Sequence, residues 1–133
     1  MRRMKRKHIC RVMTTIMQQI AATTPLEVYY CWGVERTYAT TIKVMVNGRR
    51  IIMAGLAMHV NGFQYQGKLL IALDEASDFY RIYFVKAGRM ELQRSNVGFE
   101  ELGATLDSLI EVGTMSRSEY RRKVMKQYNI VSI

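Results

Sequence analysis

Apolar residues recur at Ile9, Val12, Met13, Ile16, Met17 and Ile20, a one-faced spacing that predicts a helix. Arg11, Thr14, Thr15, Gln18 and Gln19 lie off that stripe. The helix should end near Thr23, because Pro25 disfavours the helical conformation at Thr24. The next segment, Leu26 to Trp32, is rich in Val28, Tyr29 and Tyr30 and predicts a strand closed by Gly33.

From Thr40 the period changes to two. Ile42, Val44 and Val46 alternate with Thr41, Lys43 and Met45, and Asn47-Gly48 then supplies the turn chemistry of a two-residue hairpin. Arg50–Val60 reads as the returning strand, with Gly55 a candidate bulge. Gln64–Leu73 is a third strand, and the polar turn Asp74 to Asp78 leads into a fourth, Phe79–Lys86. That strand sets Tyr80, Ile82 and Phe84 on one face and Phe79, Arg81, Tyr83 and Val85 on the other. Ala87-Gly88 turns into a short strand expected to bury Met90 and Leu92.

The helical spacing returns at Phe99, Leu102, Leu106, Leu109 and Ile110, and Gly113 suits the residue just past a helix end. Ser116 and Glu119 read as a capping box opening a last helix through Tyr128, with Tyr120, Val124 and Tyr128 on one stripe. The expected fold is therefore α+β. An N-terminal helix precedes an antiparallel four- or five-stranded meander, and two C-terminal helices pack on one face.

Length and composition narrow the class. The 133 residues fit one domain, expected over 9–133, with residues 1–8 a basic tail or frayed helix start. At 49% hydrophobic and 23% charged residues the chain is too apolar for disorder. Two cysteines do not make a disulfide scaffold or close a structural zinc site, and no apolar run is long enough to span a membrane. The basic start lacks the apolar stretch of a signal peptide, so a cytoplasmic location is expected, with Cys10 and Cys31 free and buried.

The charge is unevenly placed. The net +9 divides into +6 over residues 1–11, +4 over residues 117–126 and −1 over the rest. The C-terminal cluster has a local reason, since cations late in a helix favour its dipole and Glu119 precedes Lys123 by one turn. The N-terminal cluster has none. If the helix extends backwards, Arg3, Lys7 and Arg11 stack along one face at the end where cations oppose the dipole.

These residues give the candidate functions. Arg2, Arg3, Lys5, Arg6, Lys7 and Arg11, with Arg117, Arg121 and Arg122 as a second patch, are placed to contact nucleic-acid phosphates. Tyr83 and Arg81 are candidates for stacking bases on the sheet face away from the helices. The alternative is a protein-interaction module, a homodimer or a subunit of a larger complex, docking through Ile9, Val12 and Ile16 of the first helix.

Catalytic signals are sparse. The sequence holds no phosphate-binding glycine loop, nucleophile elbow or dinucleotide fingerprint. Asp74, Glu75 and Asp78 lack the spacing of a calcium loop, and His8, Cys10, Cys31 and His59 lack that of a zinc finger. A nucleophilic pair of Cys31 and His59 is the enzymatic alternative, and it requires the fold to join them. The expected protein is a small non-catalytic accessory protein with no metal or cofactor.

Overall fold

A computed structural model describes residues 4–113 and 117–127, the side chains of Arg117, Val124 and Gln127 excepted. The chain runs α1 (Arg6–Thr23), α2 (Leu26–Cys31), then strands β1 (Arg36–Val46), β2 (Arg49–Asn61), β3 (Gln66–Asp74), β4 (Phe79–Lys86) and β5 (Arg89–Val97). A 3₁₀ turn (Phe99–Glu101), α3 (Leu102–Asp107), a π turn (Ser108–Val112) and α4 (Arg117–Gln127) follow. The strands form one antiparallel sheet in the order β1-β2-β3-β4-β5. This is the α+β meander that the alternating pattern predicts.

α1 begins at Arg6, inside the basic segment, and buries Val12, Ile16 and Ile20. Its stripe packs on the face formed by Leu56, Met58, Leu69, Ile71, Ile82 and Phe84. Leu102, Leu106 and Ile110 complete this first core from the C-terminal side. α1 and α3 meet closely, because Gly103 donates its N–H to Thr23 Oγ1 at 3.0 Å and a side chain at Gly103 would strike the Thr23 carbonyl.

Leu26–Cys31 is a helix, not the expected strand. Pro25 has φ −58°, and its carbonyl accepts from Val28 and Tyr29 N–H at 3.1 and 3.0 Å. Proline thus opens a helical turn rather than merely closing the one before it. The aromatic and β-branched residues have no sheet to enter there: Leu26 and Tyr30 stay 65% and 73% exposed. The burial belongs to Trp32, which is sealed in the first core.

The β1–β2 turn forms as expected, with positive φ at Asn47 (51°) and Gly48 (76°). Gly55 is not a bulge. Its pairing is continuous, with Thr40 on one side and Ala72 on the other. It is small because a Cβ there would lie 2.0 Å from the Ile71 carbonyl oxygen. The irregularity falls instead in β4–β5, where the register shifts twice between Tyr80 and Tyr83. Met90 and Leu92 on β5 remain 38% and 48% exposed, against the expectation that they are buried.

The face opposite the helices holds a second apolar cluster. Ile42, Met53, Ala57, Leu70, Ala72 and Tyr83 are buried there against Tyr38, Val44, Val46, Ile51 and Val85. Every member belongs to the sheet, and among the described residues no helix joins it.

Candidate functional site

The first turns of α1 present Lys5, Arg6, Lys7 and Arg11 to solvent. None of these four forms an ion pair among the described residues. The helix has no acid in its first turn and no side-chain cap on its N-terminal N–H groups. Three cations, Lys5, Arg6 and Lys7, therefore surround the end of a helix that already carries partial positive charge, with Arg11 one turn further on. The Glu75 carboxylate in the β3–β4 turn is used by a neighbour, since the His8 ring pairs with it. Arg2 and Arg3 lie outside the described residues.

α4 exposes Arg121, Arg122, Lys123 and Lys126. Its Tyr120 lies against Glu111 and Cys31, and Glu111 accepts from the Phe63 N–H in the β2–β3 turn at 3.3 Å. α1 starts beside the β3–β4 turn, at the other end of β3. The two basic helices are thus anchored toward opposite ends of β3. The expected capping box at Ser116 and the stripe residues Val124 and Tyr128 fall outside what is described, as does the side chain of Arg117.

The other sequence candidates are differently placed. Val12 and Ile16 are core residues and Ile9 packs against that core, so the α1 stripe is taken up by the chain's own sheet. Tyr83 is 5% exposed, and its hydroxyl accepts from Arg81 Nη1 at 3.1 Å. Neither ring face is open to a base, which removes Tyr83 and Arg81 as a stacking platform. His59 accepts from Arg36 at 3.1 Å while Cys31 meets Tyr120, so the nucleophilic pair does not assemble. Both cysteines are free, but both are exposed rather than buried. Among the described residues no three His, Cys, Asp or Glu side chains gather to hold a metal.

Searches of protein-family models, curated proteins and solved structures find no match to this chain. Among the described residues no helix is long and apolar enough to cross a membrane.

The fold also assembles a polar group that sequence reasoning missed. Trp32 Nε1 donates to Asp107 at 2.9 Å, and one turn later Glu111, 1% exposed, takes the Phe63 N–H and the Tyr120 hydroxyl. Burial raises the pKa of both carboxyls, and the hydrogen bonds from Trp32, Tyr120 and Phe63 oppose that rise. Burial also raises the Tyr120 phenol well above its usual range, with the Glu111 charge adding to it. The π turn sets this geometry, since Gly113 N–H reaches back to the Ser108 carbonyl at 2.8 Å and the Ile110 carbonyl takes the Gln64 N–H at 2.8 Å. The two carboxyls thus tie Trp32 at the end of α2, Tyr120 of α4 and the β2–β3 turn to the helical layer. The only sequence trace of this was an acid pair one turn apart beside the stripe Leu106 and Ile110.

Proposed function

We propose that the protein is a small non-catalytic accessory protein that contacts nucleic-acid phosphates through the start of α1. One observation carries this reading: among the described residues Lys5, Arg6, Lys7 and Arg11 are exposed and form no ion pair, and the first three sit where the helix itself disfavours positive charge. Phosphate oxygens are the chemistry that compensates such an arrangement, through charge-assisted hydrogen bonds and release of condensed counterions. These contacts position a protein on a strand without reading its sequence. Arg121 and Arg122 on α4 form a separate patch, available to a strand long enough to reach it.

The test is binding to duplex and single-stranded oligonucleotides across a salt series. Replacing Lys5, Arg6, Lys7 and Arg11 together by Gln should weaken binding and flatten the log K against log salt slope by about 3 to 4. Arg121→Gln with Arg122→Gln should change the slope by less than 2. Unchanged affinity and slope in the four-residue variant would end this reading.

The protein-interaction alternative no longer has the α1 stripe to offer. One surface still open to a partner is the β1 border of the sheet.

A further inference from the structure

β1 is an edge strand of eleven residues, paired with β2 without interruption from Arg36 opposite His59 to Val46 opposite Arg49. Among the described residues, its outer row of backbone N–H and C=O groups makes no hydrogen bond to any other part of the chain. An open strand of this length and regularity is a template for another strand, and folded proteins usually guard against that. The opposite edge is guarded. β5 carries Arg89, Glu91 and Arg94 and is broken by the register shifts against β4. β1 has two charges, Arg36 and Lys43, in a run of Thr, Tyr, Ala, Ile, Val and Met.

We propose that two copies of this chain pair antiparallel through β1, joining their sheets into one of ten strands. The sequence of β1 is complementary to itself. With all eleven residues overlapped, Thr41 lies on the two-fold axis, Lys43 faces Ala39, Val44 faces Tyr38 and Val46 faces Arg36. No like charges meet, and the Tyr–Val contact is a favourable cross-strand pair. A one-residue slip sets each strand's inward face against the other's outward face, so it is disallowed. The pairing also covers the rim of the second apolar cluster. Tyr38 and Val44, partly open at the edge of one sheet, close against Val44 and Tyr38 of the other copy across the seam. This self-matching favours a second copy over an unrelated extended peptide.

The pairing has a consequence for the basic helix start. Arg6, Ile9 and Cys10 of α1 face Ala39, Thr40 and Thr41 across a groove of about 480 Å³. Those strand residues flank the axis, so both α1 starts lie on one side of the joined sheet, near its centre. Their mutual repulsion opposes dimerisation at low salt and makes a single anionic strand across both copies favourable. The pairing itself rests on the strand edge alone and is independent of the phosphate reading.

Sedimentation of the purified chain without nucleic acid tests it. The wild type should dimerise at about 100 μM or below, and more tightly as salt rises. Thr41 is exposed, so Thr41→Lys and Thr41→Glu leave the core untouched and circular dichroism can confirm the fold. Each alone sets like charges across the axis and should weaken the dimer about fivefold or more. Mixing the two variants should restore it as a heterodimer. A wild type that stays monomeric overturns the proposal. So does a dimer indifferent to both substitutions.

Discussion

The two faces of the sheet are both apolar, yet they are buried by different means. On the helix side Leu56, Leu69, Ile71 and Ile82 lie under Ile16, Ile20, Leu102 and Leu106. Large side chains point outward from the sheet there because a second layer interlocks with them. On the other side the central positions are small, Gly55, Ala57 and Ala72, and the larger Ile42, Met53, Leu70 and Tyr83 close over them. A face with no covering layer can exclude water only by leaning its own side chains together. It therefore buries less bulk per position and leaves a half-open rim of Tyr38, Val44, Val46 and Val85.

Adjacent residues on β3 turn this difference into a measurement. Ile71 points to the helices and Leu70, its chain neighbour, to the bare face. Ile71→Ala should cost about 4 kcal/mol, because α1 and the sheet cannot both collapse into the void. Leu70→Ala should cost about 2 kcal/mol, since Tyr83 opposite it can tilt into the space. Urea melts of the two variants decide the matter. Equal costs would mean that the bare face is covered in solution as fully as the other.

The covering layer brings a cost of its own that the bare face avoids. A carboxyl is buried where the helices meet, at Glu111, with Asp107 half-buried one turn earlier, whereas the polar pair Arg36–His59 across the sheet stays exposed. Because burial raises both carboxyl pKa values, the folded chain holds these protons more tightly than the unfolded chain does. Their contribution to stability is then fully present below the ordinary carboxylate range of about 4 and is lost as pH rises through the raised values. Glu111→Gln keeps an oxygen for the Phe63 N–H and the Tyr120 hydroxyl but removes the titration. The variant should gain on the wild type in thermal stability as pH rises from about 4 to 7. A difference that is flat over that range would show that the Glu111 charge is not desolvated in the fold.

How far the sequence revealed these regions follows from the range of the forces involved. The α1 stripe, the Asn47-Gly48 turn and the alternation of β4 are local patterns with local causes, and each is found where the pattern puts it. α2 departs from its local pattern because Val28, Tyr29 and Tyr30 carry strand preference, while the deciding contacts are the Pro25 carbonyl and the distant burial of Trp32. Tyr83 looked open because alternation shows which face a residue takes but not whether its neighbours close over it. The Trp32–Asp107 bond spans 75 positions, and no spacing rule reaches that far. The basic helix start was legible as composition. Its separation from α4 was not, because it depends on which end of β3 each helix meets.

The smallest effect probes the one region that belongs to neither face. Lys7 and Arg11 are one turn apart on α1, both exposed, and Lys7 lies in the first turn, where positive charge is unfavourable. Lys7→Gln removes one unfavourable interaction with the dipole and one like-charge pair, and should stabilise the fold by a few tenths of a kcal/mol at low salt. The gain should vanish as salt screens both terms. The same substitution should weaken oligonucleotide binding and reduce its salt slope by about 0.9. Folding and binding then move in opposite directions for one side chain, which a solvated and idle lysine does not do. If Lys7→Gln leaves stability unchanged at low salt, the cation does not strain the helix, and the physical reason for expecting a compensating anion at α1 disappears.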